Sequence, residues 1–106
     1  MSGCEKRLKV QIGVVKRMIK EVAAYEKEAI DNGARVQKMK DDGKDEYDIK
    51  KQEEVLAESQ MMIPDSKNRL EAAIEKLSDV LGEAEEEGGA DAALTSEAQG
   101  LITASA

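Results

Sequence analysis

Apolar residues recur along this chain at helical spacing, with only weak strand signals. Leu8, Val15, Val22, Ala29 and Val36 repeat every seven residues. Met18, Tyr25 and Met39 sit three positions after members of that series, and Ile12 and Ile19 four after. The stripe is wider than a two-stranded seam and fits a helix touching two neighbours. It predicts a first helix over about 5–39. Asn32-Gly33 is a turn signal inside it, but Val36 and Met39 keep the register, so the helix runs through.

DDGKD at 41–45 reads as a charged turn around Gly43, with Asp45 capping the next helix. That helix covers about 46–62, with Ile49, Val55, Leu56, Met62 and Ile63 on its apolar side. Gln52 and Ser59 fall on the inner seam, where polar groups fix register if they find partners. Pro64 then interrupts the pattern. Proline inside a helix removes a hydrogen bond and clashes with the preceding turn, but it suits a first turn. IPDS at 63–66 therefore predicts one helix ending and another beginning, with Asp65 or Ser66 as cap. The third helix covers about 65–87, through Leu70, Ile74, Leu77, Leu81 and Ala84. Connections this short fold helices back antiparallel. Four glutamates, Glu83 and Glu85 to Glu87, crowd the carboxyl end of that helix, and Gly88-Gly89 stops it. The fold expected is all-α: an antiparallel three-helix bundle over 1–87, an elongated rod, with a flexible tail over 88–106. The tail holds Leu94, Leu101 and Ile102, enough at most for a marginally docked helix.

Composition narrows the core. Aromatics are 2% with no Trp or Phe, so Leu, Ile, Val, Met and Ala must fill it, which suits narrow helix seams. A chain of 106 residues makes one domain. No stretch approaches a membrane span, the N-terminus lacks the apolar run of a signal peptide, and Ser2 stands where myristoylation needs glycine. The single cysteine, Cys4, forms no internal disulfide and suits a reducing cytosol; at a fraying end it has no structural role. The net charge of −7 divides into +5 over residues 1–40 and −12 over 41–106. A basic first helix lying against acidic later helices explains this better than a nucleic-acid arm. Its cations are interleaved with Glu21, Glu26 and Glu28, and no aromatic stacking platform accompanies them.

Candidate chemistry is sparse. There is no histidine, no partner for Cys4 as a nucleophile and no phosphate-binding glycine loop. DDGKDEYD at 41–48 lacks the spacing of a calcium loop. No enzyme, metal or cofactor is expected. Met61-Met62 is either a soft partner surface or, the better reading, core packing and turn coverage.

Two segments carry a family resemblance. IGVVKRMIKEVAAYEKEA at 12–29 and YDIKKQEEVLAESQMMIPDSKNRLEAA at 47–73 resemble the tubulin-specific chaperone A, or tubulin-folding cofactor A, family. The GVVKR and YEKEA runs, the YDIKKQ helix start and the ESQMMIPD turn followed by RLEAA are in family order. The match covers most of residues 6–82. The resemblance implies a spectrin-like three-helix bundle. It also implies a cytoplasmic, cytoskeleton-associated chaperone that captures β-tubulin released from the cytosolic chaperonin. Such a protein holds β-tubulin for α/β-heterodimer assembly, feeds later tubulin-folding cofactors, and has no cofactor or catalytic cycle. Within the matched segments, charged positions off the apolar stripes are the candidate contacts. These are Lys16, Arg17, Lys20, Glu26 and Lys27, then Lys50, Lys51, Glu54 and Glu58, and Arg69. A monomer is expected, with no nucleic acid and no membrane as partner. The competing reading is a homodimeric coiled-coil scaffold without a tubulin role.

Overall fold

The computed structural model describes residues 3–88 and 90–105. Its helices are α1 (Gly3–Asp41), α2 (Glu46–Glu87) and α3 (Ala92–Ala104), with no strand among the described residues. The all-α, three-helix expectation is met, but the helices are cut differently. α2 runs unbroken through Pro64, and the third helix lies in the segment expected to be a tail. Ser2 and Gly89 lie outside the described residues.

The physical reason for the first difference is register. Ile49, Leu56, Ile63, Leu70, Leu77 and Ala84 recur every seven residues straight across Pro64. Pro64 itself is exposed, so its ring lies off the seam, and the missing N–H costs a hydrogen bond without disturbing the packing. Ser66, expected as a helix cap, is instead buried within α2, its hydroxyl donating to the Ile63 carbonyl at 2.9 Å.

The turn behaves as the sequence suggests. Gly43 takes φ 65°, which a side chain disfavours. Its N–H donates to the Lys40 carbonyl at 3.1 Å, and the Lys44 N–H to the Met39 carbonyl at 3.0 Å. Together these satisfy two orphan carbonyls of α1. Asp45 caps α2, accepting from the Tyr47 N–H at 3.2 Å. Gly88, at φ 69°, closes α2 despite the glutamates before it, its N–H donating to the carbonyls of Ala84 and Glu85.

The chain forms two compact units, one of residues up to Ile19 with those from Asn68 onward, the other Lys20–Lys67. In the first, the start of α1 packs antiparallel to the end of α2. Leu8, Ile12 and Val15 meet Ala73, Leu77, Val80 and Leu81 in one buried cluster. α3 joins it through fully buried Ala98, with Leu94, Leu101 and Ile102 alongside. Alone, a 13-residue helix is marginal. Docking stabilises this one, helped by Asp91 capping at the Ala93 N–H and by a Lys16–Glu97 ion pair at 3.1 Å. Cys4 also differs from expectation. It is 4% exposed and part of the core, because α1 starts as early as Gly3. Arg7 Nη2 donates to its sulfur at 2.9 Å. A hydrogen bond to the Glu87 carboxylate, then burial, push the Cys4 thiol above its ordinary pKa.

The second unit is a two-helix hairpin with a wetter seam. Val22 and Val36 are buried, while Leu56 and Ile63 are only half-buried. Asn32 Nδ2 donates to Ser59 Oγ at 3.2 Å, Ser59 donates to the Leu56 carbonyl at 2.9 Å, and Gln52 Nε2 donates to Asn32 Oδ1 at 3.4 Å. Asn32, the residue that reads as a turn signal, is thus a buried seam contact in a continuous helix.

Three measurements test this architecture. Pro64→Ala should raise unfolding stability by about 1–3 kcal/mol, since proline inside an exposed helix costs about 3 kcal/mol relative to alanine. An unchanged or lower denaturation midpoint would mean that 63–66 is not helical. Leu77→Ala should cost about 2–5 kcal/mol, as buried leucine truncations do; a neutral result would place Leu77 outside the core. Cys4 should alkylate far more slowly in the folded protein than in urea at the same pH, because folding keeps the thiol protonated and covered. That preference adds stability below the ordinary thiol pKa and loses it as pH rises through the higher folded value. Equal alkylation rates would overturn the burial.

Candidate partner-binding faces

All ten candidate contacts are exposed. Lys16, Arg17 and Arg69 belong to the first unit and the other seven to the second. Some already have partners within the chain. Lys16 is tied to Glu97, Glu26 to Lys67 at 3.9 Å, and Lys27 to Asp31 at 3.9 Å. Both members of each pair are substantially solvated, so each adds at most about 1 kcal/mol and yields readily to a better partner. Among the described residues, Arg17, Lys20, Lys50, Glu54 and Glu58 make no ion pair.

Three of the seven in the second unit fall on one line. Tyr47, Lys51, Glu54, Glu58 and Met61 follow one another at steps of four, three, four and three, which places them on a single face of α2. Tyr47 is 63% exposed and Met61 73%. The Lys51 ammonium lies 5.1 Å from the Tyr47 ring centroid, a cation–π distance. Lys50 lies on the adjoining row, four before Glu54 and eleven before Met61. The result is a ridge about 20 Å long at 1.5 Å per residue, apolar at both ends and charged between. Large side chains such as Tyr47 and Met61 left exposed on one face make it a candidate partner surface.

Sequence reasoning missed the ends of this ridge. Tyr47 carries part of a motif but is no candidate contact, and Met61 reads as core or turn cover. The signal was available: Met61 falls two before Ile63 and therefore off the seven-residue series, whereas half-buried Met62 flanks the seam.

The hairpin also leaves open grooves on both flanks of its seam. One, of about 410 Å³, is lined by Glu26, Ala29, Ile30, Gly33, Gln60 and Ile63, with Ile30 71% exposed. The other, of about 300 Å³, is lined by Tyr25, Glu28, Val55, Glu58, Ser59 and Met62. Within this unit the two helices stand without a third, so apolar surface stays accessible. Neither groove holds a nucleophile poised beside a base. Among the described residues, no three His, Cys, Asp or Glu side chains converge as a metal site. No helix there is long and apolar enough to cross a membrane.

The arrangement is one of surfaces rather than reactive groups, and comparison with known proteins places it. The family model for tubulin binding cofactor A matches residues 4–102, so the family pattern includes α3. Tubulin-folding cofactor A of Arabidopsis thaliana is 48% identical over 81 residues, covering 76% of this chain and 72% of that protein. Human tubulin-specific chaperone A is 49% identical over 76 residues, covering 72% of this chain and 70% of that protein. The crystal structure of the Arabidopsis thaliana cofactor superposes with a TM-score of 0.86 at 39% identity, covering 96% of this chain and 94% of that one. With its matched length and this level of identity, the chain belongs to the tubulin binding cofactor A family.

Proposed function

We propose that this protein captures β-tubulin rather than α-tubulin, one to one, on the outer faces of its helices. It holds the subunit for assembly of the α/β heterodimer. The names of its relatives, tubulin-folding cofactor A and tubulin-specific chaperone A, support tubulin as the partner. The β subunit follows from the family resemblance. The observation that carries the binding face is the α2 ridge, with Tyr47 and Met61 held exposed at either end of Lys51, Glu54 and Glu58.

The mechanism is stoichiometric. A preformed helical face loses less entropy on binding than a segment that must first order. Holding the assembly-competent subunit shifts its population by mass action, without nucleotide hydrolysis or bond chemistry. The exposed thioether of Met61 adapts to irregular partner surfaces, and the aromatic ring of Tyr47 supplies area at low entropy cost. Lys20, Lys27 and Arg17 on α1, and Arg69 on α2, are rim contacts in this reading. The protein acts as a cytoplasmic monomer and is not an enzyme.

Removing residues 90–106 is no clean control, because it strips Ala98, Leu94, Leu101 and Ile102 from the core. Substitution on the ridge keeps the fold. Lys50→Glu with Lys51→Glu should weaken capture of purified β-tubulin about three- to tenfold at low salt and flatten its salt dependence, with helix content unchanged. Met61→Ser should act in the same direction through the dissociation rate. If all these variants bind like the parent while remaining folded, the ridge is not the contact face. Equal binding of isolated α-tubulin would overturn the subunit assignment.

A further inference from the structure

The first unit carries a surface that neither the core nor the α2 ridge uses. Between α1 and α2 lies a groove of about 400 Å³ lined by Lys6, Arg7, Val10, Gln11, Lys76 and Val80. Its floor is apolar. Val80 is almost covered, whereas Val10, also in the lining, remains 66% exposed. Gln11 is 5% exposed, and its amide N–H is spent on the Ala73 carbonyl at 2.9 Å. Every ionisable side chain in the lining is a cation. Arg7 has a carboxylate partner, Glu83 at 3.0 Å, with both side chains about half exposed. Lys6 and Lys76 make no ion pair among the described residues. The polar contacts of α3 to the other helices run through Lys16 and Glu85, not through this lining.

We propose that this groove binds an acidic peptide segment carrying an apolar side chain. The apolar group covers Val10 and Val80, and flanking carboxylates meet Lys6 and Lys76. Charge complementarity selects this occupant. Opposite charges are paired across a specific interface, and an apolar floor rewards a residue that a fully charged ligand lacks. A net charge of −7 does not prevent it, because charges beyond about 8 Å are screened at physiological salt, leaving the local cations to decide. The lining has no aromatic side chain on which a base could stack, which argues against a single-stranded nucleic acid. The site goes beyond the capture reading and shares no residue with the α2 ridge.

The test is fluorescence anisotropy of a labelled oligoglutamate peptide with one central leucine, titrated with the full-length protein. Lys6→Glu with Lys76→Glu should weaken binding about tenfold, and the corresponding glutamine pair should weaken it less, with helical circular dichroism unchanged. Val10→Asn should weaken binding, and so should replacing the peptide's leucine with glutamate. Lys44→Glu, a charge change placed in the α1–α2 turn, should leave binding within about twofold. Peptide binding that is indifferent to both Lys6/Lys76 pairs and to Val10→Asn would overturn the proposal. So would an oligothymidylate binding at least as tightly as the peptide. Tubulin capture measured on the same variants reports separately on the α2 ridge.

Discussion

The structure depends on one constraint: α2 must present the same face for its whole length, through a proline. Ile49, Leu56, Ile63, Leu70, Leu77 and Ala84 hold that face at seven-residue steps. A proline facing the seam would break both the seam and the helix. Facing water, Pro64 costs a hydrogen bond but no packing, and the buried leucines offset that cost. With aromatics only 2% of the chain and none among the buried residues, aliphatic side chains and alanine fill the core.

The two units seal their seams with different chemistry, and the difference is written in adjacent helical rows. In α2 the positions three after the main series are Gln52, Ser59 and Ser66, then Ala73 and Val80. The polar Gln52, Ser59 and Ser66 fall in the hairpin unit and the apolar Ala73 and Val80 in the unit that carries α3, where Glu87 ends the row at the last residue of the helix. In α1 the row four after the main series is Ile12 and Ile19, then Glu26, Gly33 and Lys40. A third helix needs an apolar row to rest on, and only the first part of α1 supplies one. The hairpin unit gains specificity instead from the Asn32–Ser59–Gln52 network, where every partner depends on one register. Its apolar side chains Ile30, Val55 and Met61 remain accessible as a consequence, which is the condition a holding surface needs.

This also explains what could be read from the sequence. α1, the Gly43 turn, the Asp45 cap and the polar seam at Gln52 and Ser59 were legible because local signals and periodicity agreed. Pro64 was misleading because a strong local rule opposed a weaker long-range one: the phase from Ile63 to Leu70 is unbroken, and phase prevailed. α3 was hidden because its stability is tertiary. Leu94, Ala98 and Leu101 make a stripe too short to fold alone, and the fully buried member is an alanine, a weak hydrophobic signal. Cys4 was missed because α1 starts as early as Gly3 and so carries the thiol into the core. Of the candidate contacts, Lys51, Glu54 and Glu58 proved to share one face, whereas Lys16 is engaged with α3.

Charge supplies the remaining link between the fold and the proposed capture. Arg7–Glu83, Lys16–Glu97 and Lys40–Glu53 each join basic α1 to an acidic later helix, as the +5 and −12 halves suggest. All are about half exposed and contribute little to stability. Their importance is in what they leave over. After internal pairing, Lys6, Arg17, Lys20, Lys50 and Lys76 still present cations, while Glu54 and Glu58 present anions. Such charges change encounter rates more than they change final affinity. A protein that holds an unassembled subunit competes with that subunit's aggregation, which is a contest of rates. Distributing unpaired charge around exposed apolar anchors favours the fast, oriented encounter that such a contest requires, and it does so without demanding stability from a seam this narrow.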